Sequence, residues 1–261
     1  MNIIKNATRI VFKVGTSTLT HDTGKFNLNR IDKLARVLSD FKNAGKEIIL
    51  VSSGAMSAGS AKLRVDHRPS TIVEKQAISA VGQNELMRIY DHSFSMYGQT
   101  VGQILLTKDV LDNETSKQNA QNTFNMLIKM QCIPIVNEND TISFEEIKFG
   151  DNDTLSAYVA LLCGADALVL LSDIDGLYDS DPHKNPAAKL IHTVTKIDET
   201  ILSYAGDAGS ERGTGGLVTK LKAAEIVCAN GIPMFLINGQ NPEILYDMFE
   251  GMNVGTYFMS R

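Results

Sequence analysis

The sequence predicts an α/β protein built on a mainly parallel β-sheet covered by helices on both faces. Two observations carry that reading. Short β-rich apolar runs recur along the chain, and amphipathic segments with helical spacing separate most of them. The runs are residues 9–14, 47–51, 100–106, 133–136, 167–171, 190–194 and 232–237.

Between the first two runs, Ile31, Leu34, Ala35, Leu38 and Phe41 recur at helical spacing across 29–44, and Gly45 stands where a helix-terminating glycine belongs. That stretch is one β-α-β unit of adequate length. Similar helical patterns cover 73–96, 116–130, 154–162 and 216–230. The exception is 141–149, where polar and apolar residues alternate ahead of Gly150-Asp-Asn-Asp153, a pattern expected of a hairpin projecting from the sheet. No repeat or low-complexity linker interrupts the alternation. A single domain over 1–261 is expected, its best internal division near Cys163 at the Gly164-Ala-Asp166 turn.

With 261 residues and 43% hydrophobic content, the chain can bury roughly three quarters of the surface its unfolded form exposes. Cys132, Cys163 and Cys228 are an odd number, far apart, and without metal-ligand spacing, so they read as buried thiols. No apolar stretch is long enough for a membrane span and no signal-peptide core follows the N-terminus, so a soluble cytoplasmic protein is expected. A formal charge of -5 without a basic block argues against a nucleic-acid backbone as the main partner. Small-molecule chemistry leads.

In an open α/β sheet, ligands bind outside the carboxyl ends of the strands. Polar and glycine-rich clusters follow the runs there: Lys13-Val-Gly15-Thr16-Ser17, Ser52-Ser53-Gly54-Ala55, Asn137-Glu138-Asn139-Asp140 and Ser172-Asp173. Neither the P-loop pattern nor a GxGxxG after a strand is present. The first cluster brings a lysine, a flexible glycine and two hydroxyls to a strand end, where backbone N–H groups and an ammonium can converge on phosphate. Alone, it also reads as an ordinary strand-to-loop lysine. Gly213-Thr-Gly-Gly-Leu-Val-Thr-Lys220 is more specific: three glycines and a threonine precede a helix that carries a lysine in its second turn. The Ser52 and Gly150 clusters also fit common turns. The Asn137–Asp140 cluster, four polar residues directly after an apolar run, fits either a solvated turn or a site in which Asp140 holds a substrate ammonium. The five histidines pair with no motif, which suits a carboxylate acceptor: it is ionised at pH 7 and needs no general base.

Seven segments together resemble the glutamate 5-kinases of the amino-acid kinase superfamily: Val11-Phe-Lys-Val-Gly-Thr-Ser17, Val51-Ser-Ser-Gly-Ala-Met-Ser-Ala-Gly59, Lys75-Gln-Ala-Ile-Ser-Ala-Val-Gly-Gln83, Ile135-Val-Asn-Glu-Asn-Asp140, Phe149-Gly-Asp-Asn-Asp-Thr-Leu-Ser156, Leu171-Ser-Asp-Ile-Asp-Gly-Leu-Tyr178 and Gly213 to Lys220. The resemblance implies an αβα three-layer sandwich, with 1–163 holding the amino acid and 164–261 holding ATP. The implied reaction is phosphorylation of the γ-carboxylate of L-glutamate by ATP to γ-glutamyl phosphate, the first step of proline biosynthesis. Lys13, Lys220 and Asp153 would be catalytic, the carboxylate orienting the two ammonium groups. Ser53, Asp140 and Asn152 would bind glutamate. Lys13, Gly15, Ser172, Asp173, Thr214, Gly215, Gly216, Leu217, Val218, Thr219 and Lys220 would line the ATP site. Mg²⁺ would bridge phosphate oxygens, with no side chain assigned as a metal ligand. The resemblance further implies a short form without the C-terminal PUA domain many members carry. It also implies a homo-oligomer and proline feedback to which 73–96 contributes. The labile product motivates a transient contact with a glutamyl-phosphate reductase.

Overall fold

The computed structural model describes residues 3–67, 69–143, 151–182, 184–204 and 216–260. A short helix α1 (Ile3–Asn6) precedes β1 (Arg9–Val14), the turn of helix α2 (Thr16–Leu19), α3 (Leu28–Asn43) and β2 (Glu47–Ser52). Next come α4 (Ala55–Leu63), α5 (Ile72–Ser95), β3 (Thr100–Leu106), α6 (Asp109–Asp112), α7 (Glu114–Lys129) and β4 (Cys132–Glu138). The remainder runs α8 (Asn152–Cys163), β5 (Ala167–Ser172), β6 (Thr193–Val194), α9 (Glu199–Ser203), α10 (Gly216–Ala229), β7 (Met234–Asn238), α11 (Ile244–Glu250) and β8 (Thr256–Phe258). Four of the longer helices start on side-chain caps that satisfy otherwise orphaned N–H groups: Asn27 for α3, Thr71 for α5, Asn113 for α7 and Asp151 for α8.

The strands form one sheet in the order β3-β4-β2-β1-β5-β7-β8-β6. All pairings are parallel except β7 with β8. The strand order reverses at β1, which has β2 on one edge and β5 on the other. The period-2 alternation of β1 sends Ile10, Phe12 and Val14 into one core, with Leu34 and Leu38 of α3, Leu86 and Tyr90 of α5, and Leu245 of α11. Val11 faces the opposite core, with Phe124 of α7, Leu155 and Val159 of α8, and Leu221 and Ala224 of α10. Helices thus cover both faces, as expected.

Two features depart from the sequence expectations, and a third expectation falls largely outside the described residues. The apolar run at 190–194 pairs in the sheet only through Thr193–Val194; Leu190 instead bridges Tyr178 in antiparallel fashion and the Ile191 N–H donates to the Leu177 carbonyl. Cys132 is only half-buried at the start of β4, whereas Cys163 and Cys228 are buried. The expected hairpin over 141–149 falls largely outside the described residues; its first residues, Thr141 and Ile142, form a turn.

Helix α4 was not anticipated, because AMSAGSAKL carries no apolar stripe. It packs against α5 by near contact of backbones. A Cβ on Gly59 would lie 2.0 Å from the Ile78 carbonyl oxygen, and one on Gly82 would lie 1.7 Å from that of Ala55.

Candidate active site

The same alternation that buries Val11 aims Lys13 at the face covered by α8 and α10. There the Asp151 cap starts α8, so Asn152 and Asp153 occupy its first turn, where the unsatisfied N–H groups favour a carboxylate. The Lys13 ammonium sits 2.5 Å from Asp153 Oδ1. From α10, Lys220 Nζ reaches Asp153 Oδ2 at 3.2 Å and also donates to the Gly216 carbonyl at 2.8 Å. Thr219 Oγ1 donates to Asp153 Oδ2 at 2.8 Å. All three charged residues are buried: Lys13 and Lys220 are 8% exposed and Asp153 3%. Burial alone would raise the Asp153 carboxyl pKa, but the Lys13 and Lys220 ammonium groups outweigh it and hold the pKa below the ordinary carboxylate value. The result is two lysines and one carboxylate, net positive, at the carboxyl end of the central strand.

Beside this triad opens a cleft of about 540 Å³, walled by Lys13, Gly15, Ser53, Asp140 and Asn152, among other residues of α4, α5 and β4. These five candidates come from four separate segments of the chain, and the fold brings them together. Asn152 Nδ2 lies 3.1 Å from the Ser52 carbonyl, 2.9 Å from Ser53 Oγ and 2.9 Å from Asn137 Oδ1. Asn137 Nδ2 in turn donates to Gln83 Oε1 of α5 at 2.9 Å. Ser52 Oγ shares a 2.7 Å hydrogen bond with the buried Tyr90 hydroxyl, which ties the β2 end to α5. Sequence reasoning did not single out Asn137, Gln83, Lys75 or Gln76. Asn137 stood in a noted polar cluster, and its place two residues before Asn139 on a strand end was the available signal. Gln83 sits inside a helical pattern that gives it no distinction.

On the other side of the triad, Ser172 ends β5, buried, with its Oγ donating to the exposed Asp173 at 3.1 Å. Gly216, Leu217, Val218 and Thr219 form the first turn of α10. Thr219 turns its hydroxyl to Asp153, Leu217 packs at the fringe of the core and Val218 is exposed. Thr214 and Gly215 lie outside the described residues. Among the described residues no group of three or more His, Cys, Asp or Glu is arranged to hold a metal ion, and no helix is long and apolar enough to cross a membrane.

The model of the amino acid kinase family matches residues 8–238, from just before β1 to the end of β7, and so takes in both lysines and Asp153. The chain belongs to the amino acid kinase family. Within it, the chain is 55% identical to the glutamate 5-kinase of Clostridium perfringens, covering 99% of this chain and 97% of that one. It is 52% identical to the glutamate 5-kinase of Enterococcus faecalis, with the same coverage. Solved structures of the same fold include the isopentenyl phosphate kinase of T. acidophilum (TM-score 0.66, 17% identity, 96% of this chain and 100% of that one). Another is the UMP kinase of Bacillus anthracis (TM-score 0.63, 16% identity, 97% and 96%). At that identity the two structures establish only that the three-layer αβα architecture is the one amino acid kinases share.

Proposed function

We propose that this chain phosphorylates the γ-carboxylate of L-glutamate with ATP, giving γ-glutamyl phosphate and ADP, the first step of proline biosynthesis. The observation that carries the reading is the buried Lys13–Asp153–Lys220 triad beside a cleft lined by Lys13 and Asp140. The names and high identity of the glutamate 5-kinase relatives support it. Residues 1–163 supply the cleft and take the amino acid, and 164–261 take the nucleotide through Ser172, Asp173 and the start of α10.

Glutamate and ATP are both anions, so their approach needs cations more than it needs a base. The γ-carboxylate oxygen attacks the γ-phosphorus, and the bond to the β-phosphate oxygen breaks with its electron pair leaving on ADP. Lys13 and Lys220 neutralise the charge on the moving phosphoryl group. Asp153 keeps the two ammonium groups close together despite their repulsion, so the site is organised before substrate arrives. Both Asp153 oxygens are engaged by these lysines and Thr219, so Mg²⁺ would be brought by ATP rather than held by this carboxylate, and would add to the neutralisation of phosphate charge. Within the cleft, Asp140 and the Asn152 side-chain carbonyl receive the substrate ammonium. An acetylated nitrogen would forfeit the charge that Asp140 recognises.

The reading places the enzyme in the cytoplasm, with like subunits and a glutamyl-phosphate reductase as its protein contacts. The reaction is tested by hydroxylamine trapping with ATP, Mg²⁺ and L-glutamate, N-acetylglutamate or aspartate. Glutamate-dependent hydroxamate with matching ADP is expected; product with another acid alone would overturn the substrate. Asp140→Ala should raise the KM for glutamate about 10- to 100-fold, the worth of one charge-assisted hydrogen bond, with a much smaller change in kcat. An unchanged KM would remove Asp140 from the substrate site.

A further inference from the structure

We propose that Gln83 is a positioning residue for the amino-acid substrate, acting through Asn137 to hold the Asn152 amide with its carbonyl toward the cleft. The inference deepens the reading that this cleft takes glutamate and rests on it.

The way round of each amide is settled by a backbone partner that has only one role. The Glu138 N–H can only donate, and it lies 2.9 Å from one Asn137 side-chain atom, which is therefore Oδ1. The Ser52 carbonyl can only accept, so the Asn152 atom 3.1 Å away is Nδ2. That Nδ2 carries two hydrogens and already meets three acceptors: Ser52 O, Ser53 Oγ and Asn137 Oδ1. Nothing among the described residues donates to Asn152 Oδ1. The carbonyl is the end left for a ligand, in a cleft that also contains Asp140. Such a pair of acceptors suits an ammonium and disfavours a carboxylate.

This arrangement needs Asn137 to stay put. Asn137 is 4% exposed, and with its Oδ1 committed, its Nδ2 requires an acceptor. Gln83 Oε1, 2.9 Å away, is that acceptor. Without it the Asn137 amide would be left with a buried unpaired donor, and turning to find another partner would break its bond to Asn152. Gln83 is itself poorly served here. Its Nε2 is buried with no partner among the described residues, a cost an apolar side chain would not carry. The packing of α5 gives no reason for an amide at 83; the acceptor offered to Asn137 does.

The test is steady-state kinetics on Gln83→Met and Gln83→Glu, alone and combined with Asn152→Ala, with thermal unfolding as a control for folding. Gln83→Met removes the acceptor at similar volume and should raise the KM for glutamate about 5- to 10-fold. Its kcat and KM for ATP should stay within about twofold of the parent, because the lysine triad is untouched. Gln83→Glu keeps an acceptor facing Asn137 and should recover most of the glutamate KM. In the Asn152→Ala background, Gln83→Met should add nothing further. A glutamate KM unmoved in Gln83→Met, an equal rise in the KM for ATP, or full additivity with Asn152→Ala would each overturn the proposal. Should Gln83→Met fail to fold, Gln83→Leu, which also removes the acceptor, decides in its place: a raised glutamate KM with the KM for ATP unmoved supports the role, and an unmoved glutamate KM overturns it. A parent enzyme giving no glutamate-dependent hydroxamate would bring down the substrate reading itself, whereas a normal parent with an unmoved Gln83→Met would bring down only the positioning role.

Discussion

Lys220→Ala is expected to lower kcat about 10²- to 10³-fold, the usual loss on removing one preorganised electrostatic donor. The lysine is buried at the start of α10, within 3.2 Å of Asp153, so water cannot replace its charge cheaply. On the proposed reading, its loss would leave the excess phosphoryl charge to Lys13. The glutamate KM should change little, since Asp140, Asn152 and Ser53 belong to other segments. The fold should survive, because Asp153 keeps Lys13 and Thr219 as partners. Single-turnover assays at saturating substrates, beside a thermal melt, measure both parts. Turnover within about tenfold of the parent would mean that the transferring phosphoryl group does not meet this lysine.

Gly82→Ala should cost stability even though it improves helix propensity. Alanine is better than glycine inside a helix by about 1 kcal/mol. Against this, the new Cβ would sit 1.7 Å from the Ala55 carbonyl oxygen and 2.5 Å from the Gly59 nitrogen. Both are backbone atoms, which cannot swing aside as a side chain can, so α4 and α5 must separate. Overpacking of this kind costs roughly 1–3 kcal/mol and more where backbone must move. A net loss of about 2 kcal/mol would lower Tm by about 4–8 °C in a domain of this size. Because Ala55 begins α4 at the edge of the cleft, the glutamate KM should rise together with the loss of Tm. A Tm equal to or above the parent's would show that the helix pair has slack the packing does not suggest.

The sheet was largely legible because its strands are apolar and bounded by punctuation. The run at 9–14 became β1 with the same ends, and 100–106 became β3. Alternation along β1 separates Val11 and Lys13 from Phe12 and Val14, and that parity is what carries Lys13 to α8. What the chain could not announce were elements stabilised by contacts distant in sequence. The three residues of β8 are too few to show a period, and they pair with Met234, Phe235 and Leu236 of β7. Leu190 had strand character but found Tyr178 as a local partner first. At the site, residue types singled out the clusters around Lys13 and Lys220, and Asp153 entered only through the family resemblance; nothing in Gly-Leu-Val-Thr-Lys220 says that the Thr219 hydroxyl turns to Asp153. Gln83 was invisible for a similar reason, since among the described residues a hydrogen bond to Asn137 is what connects it to the cleft.

The position of β1 has a consequence for how the protein is made. Its six residues lie early in the chain, yet one of its edges pairs only with β5, and Phe12 shares a core with Val169 and Ile237. While the chain is being synthesised, residues before 164 can gather β1 beside β2, β4 and β3, but the edge of β1 facing β5 stays open until residues 167–172 have left the ribosome. An unpaired, apolar, parallel edge is a template for the wrong neighbour. The nascent protein is therefore most vulnerable to aggregation in that interval, when the strand bearing Lys13 has only half its hydrogen bonds.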